Sequence, residues 1–442
     1  MNAEPFALGI SHKTAPLPLR EKLALPVGRA SRVLAELVEH EYVHEAVALS
    51  TCNRTELYLV TADAVDAENA ALAILSRQAG LRPTELLGAI YSMRGRDAVE
   101  HLFAVTAGLD SMIVGEAEIQ GQVKRSYEAA LVEGVTGPIS NRLFRDALAA
   151  GKRVRTETDI ARSNVSVSSV AVRLMTEFLG DLAGRRVLVI GAGENAELTT
   201  RALAERGVET LFVANRRLDR AIGLAKRFGG RAVSFDDLPR ELEEADIVVS
   251  STGAPHQIVG RDELEFVALS RMGRPLVLLD LAVPRDIDPD VRDCPGIALY
   301  DMDDLQHAVA AGLSVREAEA EPARALVREE VARFEEWLSS LDVIPTISAL
   351  RRRGEEIVDA VLRENESSWE AVSQADRERL ELMARAVVNR LLHEPTLRLK
   401  EGETSSEHLQ LLRELFDLER ELDEPRPAEV TDLESRRRSR GL

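Results

Sequence analysis

The chain has 442 residues, 45% of them hydrophobic and 30% charged, which suits two or three domains with cores of their own and excludes a disordered or fibrous protein. Two cysteines, Cys52 and Cys294, cannot build a disulfide framework, and residues 1–6 lack the basic start and apolar core of a secretory signal, so a reducing cytoplasm is expected. A formal charge of −19 argues against non-specific nucleic-acid binding, and the most apolar runs, 187–190 and 276–281, are strand-sized and far short of a membrane span.

In chain order, residues 6–10 read as a strand, 27–41 as an amphipathic helix, 45–49 and 56–61 as a strand pair, 66–79 as helix and 89–93 as strand. That order is βαββαβ, the split βαβ or ferredoxin-like α+β arrangement, in which the second and third strands are joined by a tight turn. The turn is Ser50-Thr51-Cys52-Asn53-Arg54, so the Cys52 thiol is expected at a strand end within reach of a substrate. A thiolate is a nucleophile, and a neighbouring cation such as Arg54 favours it; the competing reading is a packed structural cysteine.

A helical block follows with His101 at the start of an apolar patch, by itself more suggestive of a structural histidine than a catalytic one. Gly108 and Gly115 then bracket a loop that delivers Ser111, Glu116 and Glu118 together, more hydrogen-bonding groups than a plain core needs. Between residues 124 and 162, Arg142, Arg145, Lys152, Arg153 and Arg155 are dense enough for a local basic patch, or equally for a solvated helix face.

Residues 185–190 form an apolar strand run into Gly191-Ala192-Gly193-Glu194-Asn195-Ala196, and a helix continues over 197–205. This is G-x-G-x-x-A between strand and helix, the setting in which the backbone approaches a pyrophosphate and the helix N-terminus favours its charge. The second strand, 210–214, ends in Asn215-Arg216-Arg217, where an NAD site has an acid; two arginines suit a 2′-phosphate, so NADP is expected. Strand-loop-helix alternation continues through 246–250 and 276–280, as in a parallel sheet covered by helices. Cys294, beside Pro295 and Gly296, reads as structural.

From residue 304 the chain becomes charged, alanine-rich helix. Val327, Val331, Phe334, Leu338 and Leu341 form one apolar seam that calls for a partner, and Pro345 is expected to end that helix. Further helical runs lie at 347–364, 376–392 and 406–422; the proline-broken, charged stretch 424–442, with Arg436, Arg437, Arg438 and Arg440, reads as a disordered tail. The expected organisation is 1–158 catalytic, 165–303 Rossmann-type nucleotide-binding, 304–425 all-α linker and dimerisation domain, and 426–442 tail.

Taken together, Gly9-Ile10-Ser11-His12-Lys13-Thr14-Ala15-Pro16, the Cys52 turn, the loop 108–124, residues 151–158, the dinucleotide loop and Leu392-His393-Glu394-Pro395 resemble the glutamyl-tRNA reductase family. The resemblance implies NADPH-dependent reduction of glutamyl-tRNA to glutamate-1-semialdehyde through a cysteinyl thioester, the first step of five-carbon tetrapyrrole biosynthesis. It also implies a V-shaped homodimer held at its helical end and a possible hand-over to a downstream aminomutase. It puts the nucleophile on Cys52, substrate contacts on Thr51, Asn53, Arg54, Ser111, Glu116, Ala117, Glu118 and Gln122, and a histidine important for activity on His101. It implies no metal. Many members carry Pro and Gln where this chain has Ala117 and Glu118. Two other classes compete: an NADP oxidoreductase of the shikimate dehydrogenase type, which gives no reason for the Cys52 turn, and a non-enzymatic nucleotide-sensing dimer.

The arginine pair supplies a test of cofactor choice. Replacing Arg216 and Arg217 together by alanine raises the KM for NADPH far more than that for NADH, whereas equal effects on both cofactors remove the assignment.

Overall fold

The computed structural model describes residues 3–158, 160, 166–191, 193–213, 218–310, 317–365, 373–400 and 406–418. The chain divides into two compact units, Met1–Val331 and Ala332–Leu442. The arginine-rich tail lies outside the described residues.

The first unit opens with β1 (Glu4–Ser11), α1 (Leu17–Leu23), α2 (Val27–Val38), β2 (Val43–Ser50), β3 (Arg54–Thr61), α3 (Ala64–Ala79), α4 (Pro83–Leu86) and β4 (Tyr91–Arg94). The strands form an antiparallel sheet in the order β2-β3-β1-β4, the ferredoxin-like layout that the element order predicts. The short helices α1 and α4 escape the periodicity argument because each is too brief to show a repeat. Every residue of β3 is buried, so polar side chains that alternation would send to water, Arg54 and Glu56 among them, are sealed inside. The sealing layer includes α5 (Gly95–Thr106), α6 (Glu118–Glu133) and α7 (Pro138–Glu157), which pack on the sheet. Helix α3 starts where the Asp63 carboxylate accepts from the N–H groups of Val65 and Asp66, at 2.8 and 3.1 Å, and stops at Gly80 in the left-handed region.

The middle of the chain adds α8 (Val167–Leu179), β5 (Arg186–Ile190), α9 (Glu194–Ala204), β6 (Glu209–Val213), α10 (Leu218–Phe228), β7 (Arg231–Val233), α11 (Leu238–Glu244), β8 (Ile247–Ser250), α12 (Arg261–Ser270), β9 (Leu276–Asp280), β10 (Ile297–Tyr300) and α13 (Met302–Ala310). Six parallel strands run β10-β9-β8-β5-β6-β7, a Rossmann sheet whose order reverses between β5 and β8. Strands β7 and β10 are three and four residues long, too short for a pattern to announce them. Helix α13 crosses residue 304 yet packs Met302, Leu305 and Val309 into the apolar core of this sheet, together with Met112 and Ile113 from the loop before α6.

Helix α14 (Glu317–Glu364) enters the second unit, followed by α15 (Gln374–Lys400) and α16 (Ser406–Leu415). Pro345 does not end a helix: α14 runs through it, as α15 runs through Pro395. Packing overrides the lost backbone donor, since Ile347, Leu399 and Leu409 form one buried cluster just beyond it, and Ala349, Leu350 and Leu418 another. The seam expected to need a partner is also partly satisfied, with Val327, Val331 and Phe334 all buried within the chain. The uncovered apolar side chains sit later instead, at Ile357 and Val361 on α14 and at Leu382, Met383, Val387 and Leu391 on α15. Among the described residues no helix is long and apolar enough to cross a membrane.

The loop before α6 depends on one backbone position. Gly115 has φ +86°, and a Cβ there would lie 2.3 Å from the Ile160 carbonyl oxygen. Gly115→Ala therefore lowers stability by about 2–4 kcal/mol in a denaturant titration.

Candidate active site

The hairpin between β2 and β3 leaves Thr51, Cys52 and Asn53 as its loop, closed by the Thr51 N–H on the Arg54 carbonyl at 2.8 Å. The Thr51 hydroxyl accepts from the N–H groups of Asn53 and Arg54, both at 3.2 Å, so the turn is built around that side chain. Cys52 is partly exposed at its tip. Around it one small cavity is lined by Thr51, Cys52, Asn53, Arg54, Ser111, Glu116, Glu118 and Gln122, joined by Ile119, Val167, Asn195 and Met302. The structure thus gathers residues that the sequence separates by up to 251 positions, from Thr51 to Met302. Ala117 is exposed and does not line the cavity, and neither does His101.

Beneath the turn lies a buried ionic network. Arg54 donates through Nη1 to Glu56 Oε1 at 2.6 Å, and through Nη2 to the Asp110 carbonyl at 2.6 Å and the Asp110 carboxylate at 3.0 Å. Glu56 also accepts from the Tyr58 hydroxyl at 2.6 Å and the Tyr91 hydroxyl, and its Oε1 lies 2.9 Å from His101 Nε2. Lys13 closes the outer end by pairing with Asp110. Despite full burial, these partners hold the Glu56 carboxyl well below the usual carboxylate range, Arg54 first among them. His12 sits beside the network with Nδ1 buried and unpartnered; burial and the Arg54, Lys13 and Arg20 charges lower its pKa to about 4, so the ring is neutral.

This geometry revises the expected role of Arg54. Its guanidinium is engaged by Glu56 and Asp110, and the cation that favours the Cys52 thiolate is Arg20. Arg20 donates to the Cys52 carbonyl at 2.7 Å and reaches Asn53 Oδ1 at 3.4 Å. Burial, reinforced by Glu116 and Glu118, nevertheless pushes the thiol up to about 12, so the site holds a thiol rather than a ready thiolate. Glu116 is itself raised by burial, and the Ser111 hydroxyl lies against it without a well-aligned hydrogen bond. Cys294 is buried in the nucleotide-domain core, as expected of a structural cysteine.

A second, open cleft of about 690 Å³ is lined by the same residue, Cys52. Its walls include Leu25, Leu34, Gln122 and Arg125 on one side, and Gly193, Asn195, residues 251–253 and residues 281–284 on the other. Gly191 has φ +92°, and a Cβ there would lie 2.4 Å from the Ser251 carbonyl oxygen; one on Gly193 would lie 2.3 Å from Ser251 Oγ. Asp286 fixes that opposing loop, accepting from the hydroxyls of Ser250 at 2.6 Å and Thr252 at 2.5 Å and from the Thr252 N–H at 2.9 Å. Helix α9 begins at Gly193 with no side-chain cap, leaving its first N–H groups for a pyrophosphate. Bare glycines, an uncapped helix and the sheet's switch point fit a dinucleotide. Ala196 is buried in the core; Ala192, Asn215, Arg216 and Arg217 lie outside the described residues, as does the side chain of Glu194.

Three family models match successive parts of the chain: the glutamyl-tRNA(Glu) reductase N-terminal domain over residues 8–158, shikimate/quinate 5-dehydrogenase over 173–308, and the glutamyl-tRNA(Glu) reductase dimerisation domain over 322–418. A glutamyl-tRNA reductase of Trichlorobacter lovleyi is 44% identical over 417 residues, covering 94% of this chain and 96% of its own. That of Geobacter sulfurreducens is 43% identical over 422 residues, covering 95% and 97%. The chain belongs to the glutamyl-tRNA reductase family. The solved glutamyl-tRNA reductase from Methanopyrus kandleri is 31% identical, with a TM-score of 0.53 over 94% of this chain and 99% of that one. The shikimate-dehydrogenase likeness accounts for the nucleotide-binding fold alone, while the parts on either side carry the reductase family's own domains.

Within this reductase-family site, neither Glu56 nor Arg20 is singled out by the sequence. The available signal was a charged pair inside an apolar strand, Arg54 and Glu56 two residues apart on one face. Because its folded pKa is depressed, Glu56 stabilises the fold above its unfolded value of about 4.3, and that contribution is lost as pH falls through the folded value. Glu56→Gln destabilises the protein by about 3–5 kcal/mol at neutral pH and flattens the acid limb of a stability-versus-pH curve. An unchanged acid limb shows that the ion pair is not the sensitive element.

Proposed function

We propose that the chain reduces the glutamyl ester of glutamyl-tRNA(Glu) to glutamate-1-semialdehyde, with NADPH as reductant and Cys52 as nucleophile, in the cytoplasm. The observation that carries this reading is the convergence on one residue, Cys52, of two openings, a small cavity and a large cleft walled in part by the dinucleotide loop.

In the acylation step the Cys52 sulfur attacks the ester carbonyl. A sulfur–acyl bond forms, the carbon–oxygen bond to the terminal ribose breaks, and the thiol proton ends on the released hydroxyl. Glu116 and Glu118 face the cavity with carboxyl groups able to accept hydrogen bonds from the α-ammonium of the aminoacyl group. Arg54 lines it as a cation held rigid by Glu56 and Asp110. Thr51 fixes the turn, and Ser111, Asn53 and Gln122 supply neutral hydrogen-bonding groups. His101 acts through Glu56, as a positioning group. Gly191, Gly193 and Asn195 hold the dinucleotide, which supplies a hydride when bound. The two arginines after β6 are the reason for naming NADPH.

The homodimer forms through the dimerisation domain, where the exposed faces of α14 and α15 supply apolar surface. The expected basic patch is a weaker candidate for tRNA contact than its composition suggests: Arg142 pairs with Asp146, and Arg153 with Glu157, Glu329 and Glu330.

Enzyme given glutamyl-tRNA without NADPH accumulates a glutamyl adduct on Cys52, read by mass spectrometry of the quenched reaction. Cys52→Ser loses nearly all reductase activity and Cys294→Ser keeps most of it. An adduct on Cys294, or a fully active Cys52→Ser, ends this account.

A further inference from the structure

One helix of the nucleotide-binding fold grips the nucleophile turn of the catalytic domain along two routes. Helix α13 begins at Met302, which lines the cavity beside Cys52. At the next residue, Asp303 pairs with Arg20 and accepts from the Leu17 N–H at 3.3 Å. Arg20 is only 3% exposed, and its other nitrogen donates to the Cys52 carbonyl at 2.7 Å. Three residues further along α13, Gln306 donates to the His12 carbonyl at 3.3 Å, and the His12 N–H donates to the Asn53 carbonyl at 2.7 Å. Asp303 is in turn held in place by the helix start, its N–H donating to Asp301 Oδ1 at 3.0 Å. Both carbonyls beside the thiol are therefore reached from the cofactor side of the molecule.

We propose that Arg20 is a positioning residue for Cys52, and that Asp303, by holding Arg20, makes the reactivity of the thiol depend on the docking of the nucleotide-binding domain. Burial, Glu116 and Glu118 oppose ionisation of the thiol, and Arg20 supports it, so the balance at Cys52 turns on where that guanidinium sits. Asp303 distinguishes holding from charge. Its carboxylate partly neutralises Arg20, so if it acted by charge alone its removal would favour the thiolate. If it acts by aiming Arg20, its removal disfavours it.

The proposal rests on Cys52 as the reactive thiol, but its test reads the sulfur directly, without tRNA or nucleotide. Full-length protein is treated with iodoacetamide from about pH 7 to about pH 10, and modification of Cys52 is followed by peptide mass spectrometry. Arg20→Met slows alkylation about tenfold and moves the rising limb up by about one pH unit, and Arg20→Lys recovers part of the loss. Asp303→Asn, a near-isosteric change at a partly exposed position, slows alkylation about three- to tenfold. Asp303→Asn alkylated as fast as wild type, or faster, overturns the proposal even where Arg20→Met fails to fold. A protein that alkylates as expected yet forms no glutamyl adduct refutes the catalytic reading and leaves this one standing.

Discussion

The Arg54–Glu56 pair is the constraint on which the catalytic half of the molecule rests. Both side chains are sealed inside β3, where an unpaired charge costs several kcal/mol, so neither tolerates loss of the other. Their remaining hydrogen-bonding capacity draws in Tyr58 on the same strand, Tyr91 on β4, His101 on α5 and Asp110 in the following loop. Elements far apart in the chain are thereby fixed to the strand that carries the thiol turn. A hydrophobic layer alone resists separation but not sliding; directional ionic bonds resist both.

The nucleotide-binding half packs against that platform. Its sheet reverses order between β5 and β8, and the loops leaving those strands touch so closely that a methyl group on Gly191 or Gly193 would collide with Ser251. That contact narrows the crevice in which a dinucleotide lies and points its wall at Cys52. Further contacts anchor the two halves: Met112 and Ile113 enter the nucleotide-domain core, and Arg285 grips Glu21 through Nε and Nη2, at 2.8 and 2.9 Å.

The sequence reveals the elements whose signal is local. The βαββαβ order, the cysteine turn, the glycine loop between strand and helix, and the loop joining Ser111 to Glu118 are all readable because turn chemistry and period are properties of neighbouring residues. What it conceals is non-local. The burial of Arg54 becomes visible only when α5, α6 and α7 close over β3, and the closeness of Arg20 to Cys52 only when the hairpin returns to α1. Pro345 illustrates the same limit from the other direction: a local breaker is overruled by clusters formed with residues more than fifty positions later.

The electrostatics of the cavity bear on how a reductase would tell its ester from free glutamate. Free glutamate carries an α-carboxylate as well as its side-chain carboxylate; the glutamyl ester has lost the former and kept the α-ammonium. Two carboxyl groups lining one pocket, Glu116 and Glu118, would disfavour the extra anion of the amino acid relative to the ester. Glu116 and Glu118 also raise the thiol's pKa, which lowers the fraction present as thiolate. A cation entering the cavity would offset both carboxylates at once and so relieve the opposition they offer to ionisation of the thiol.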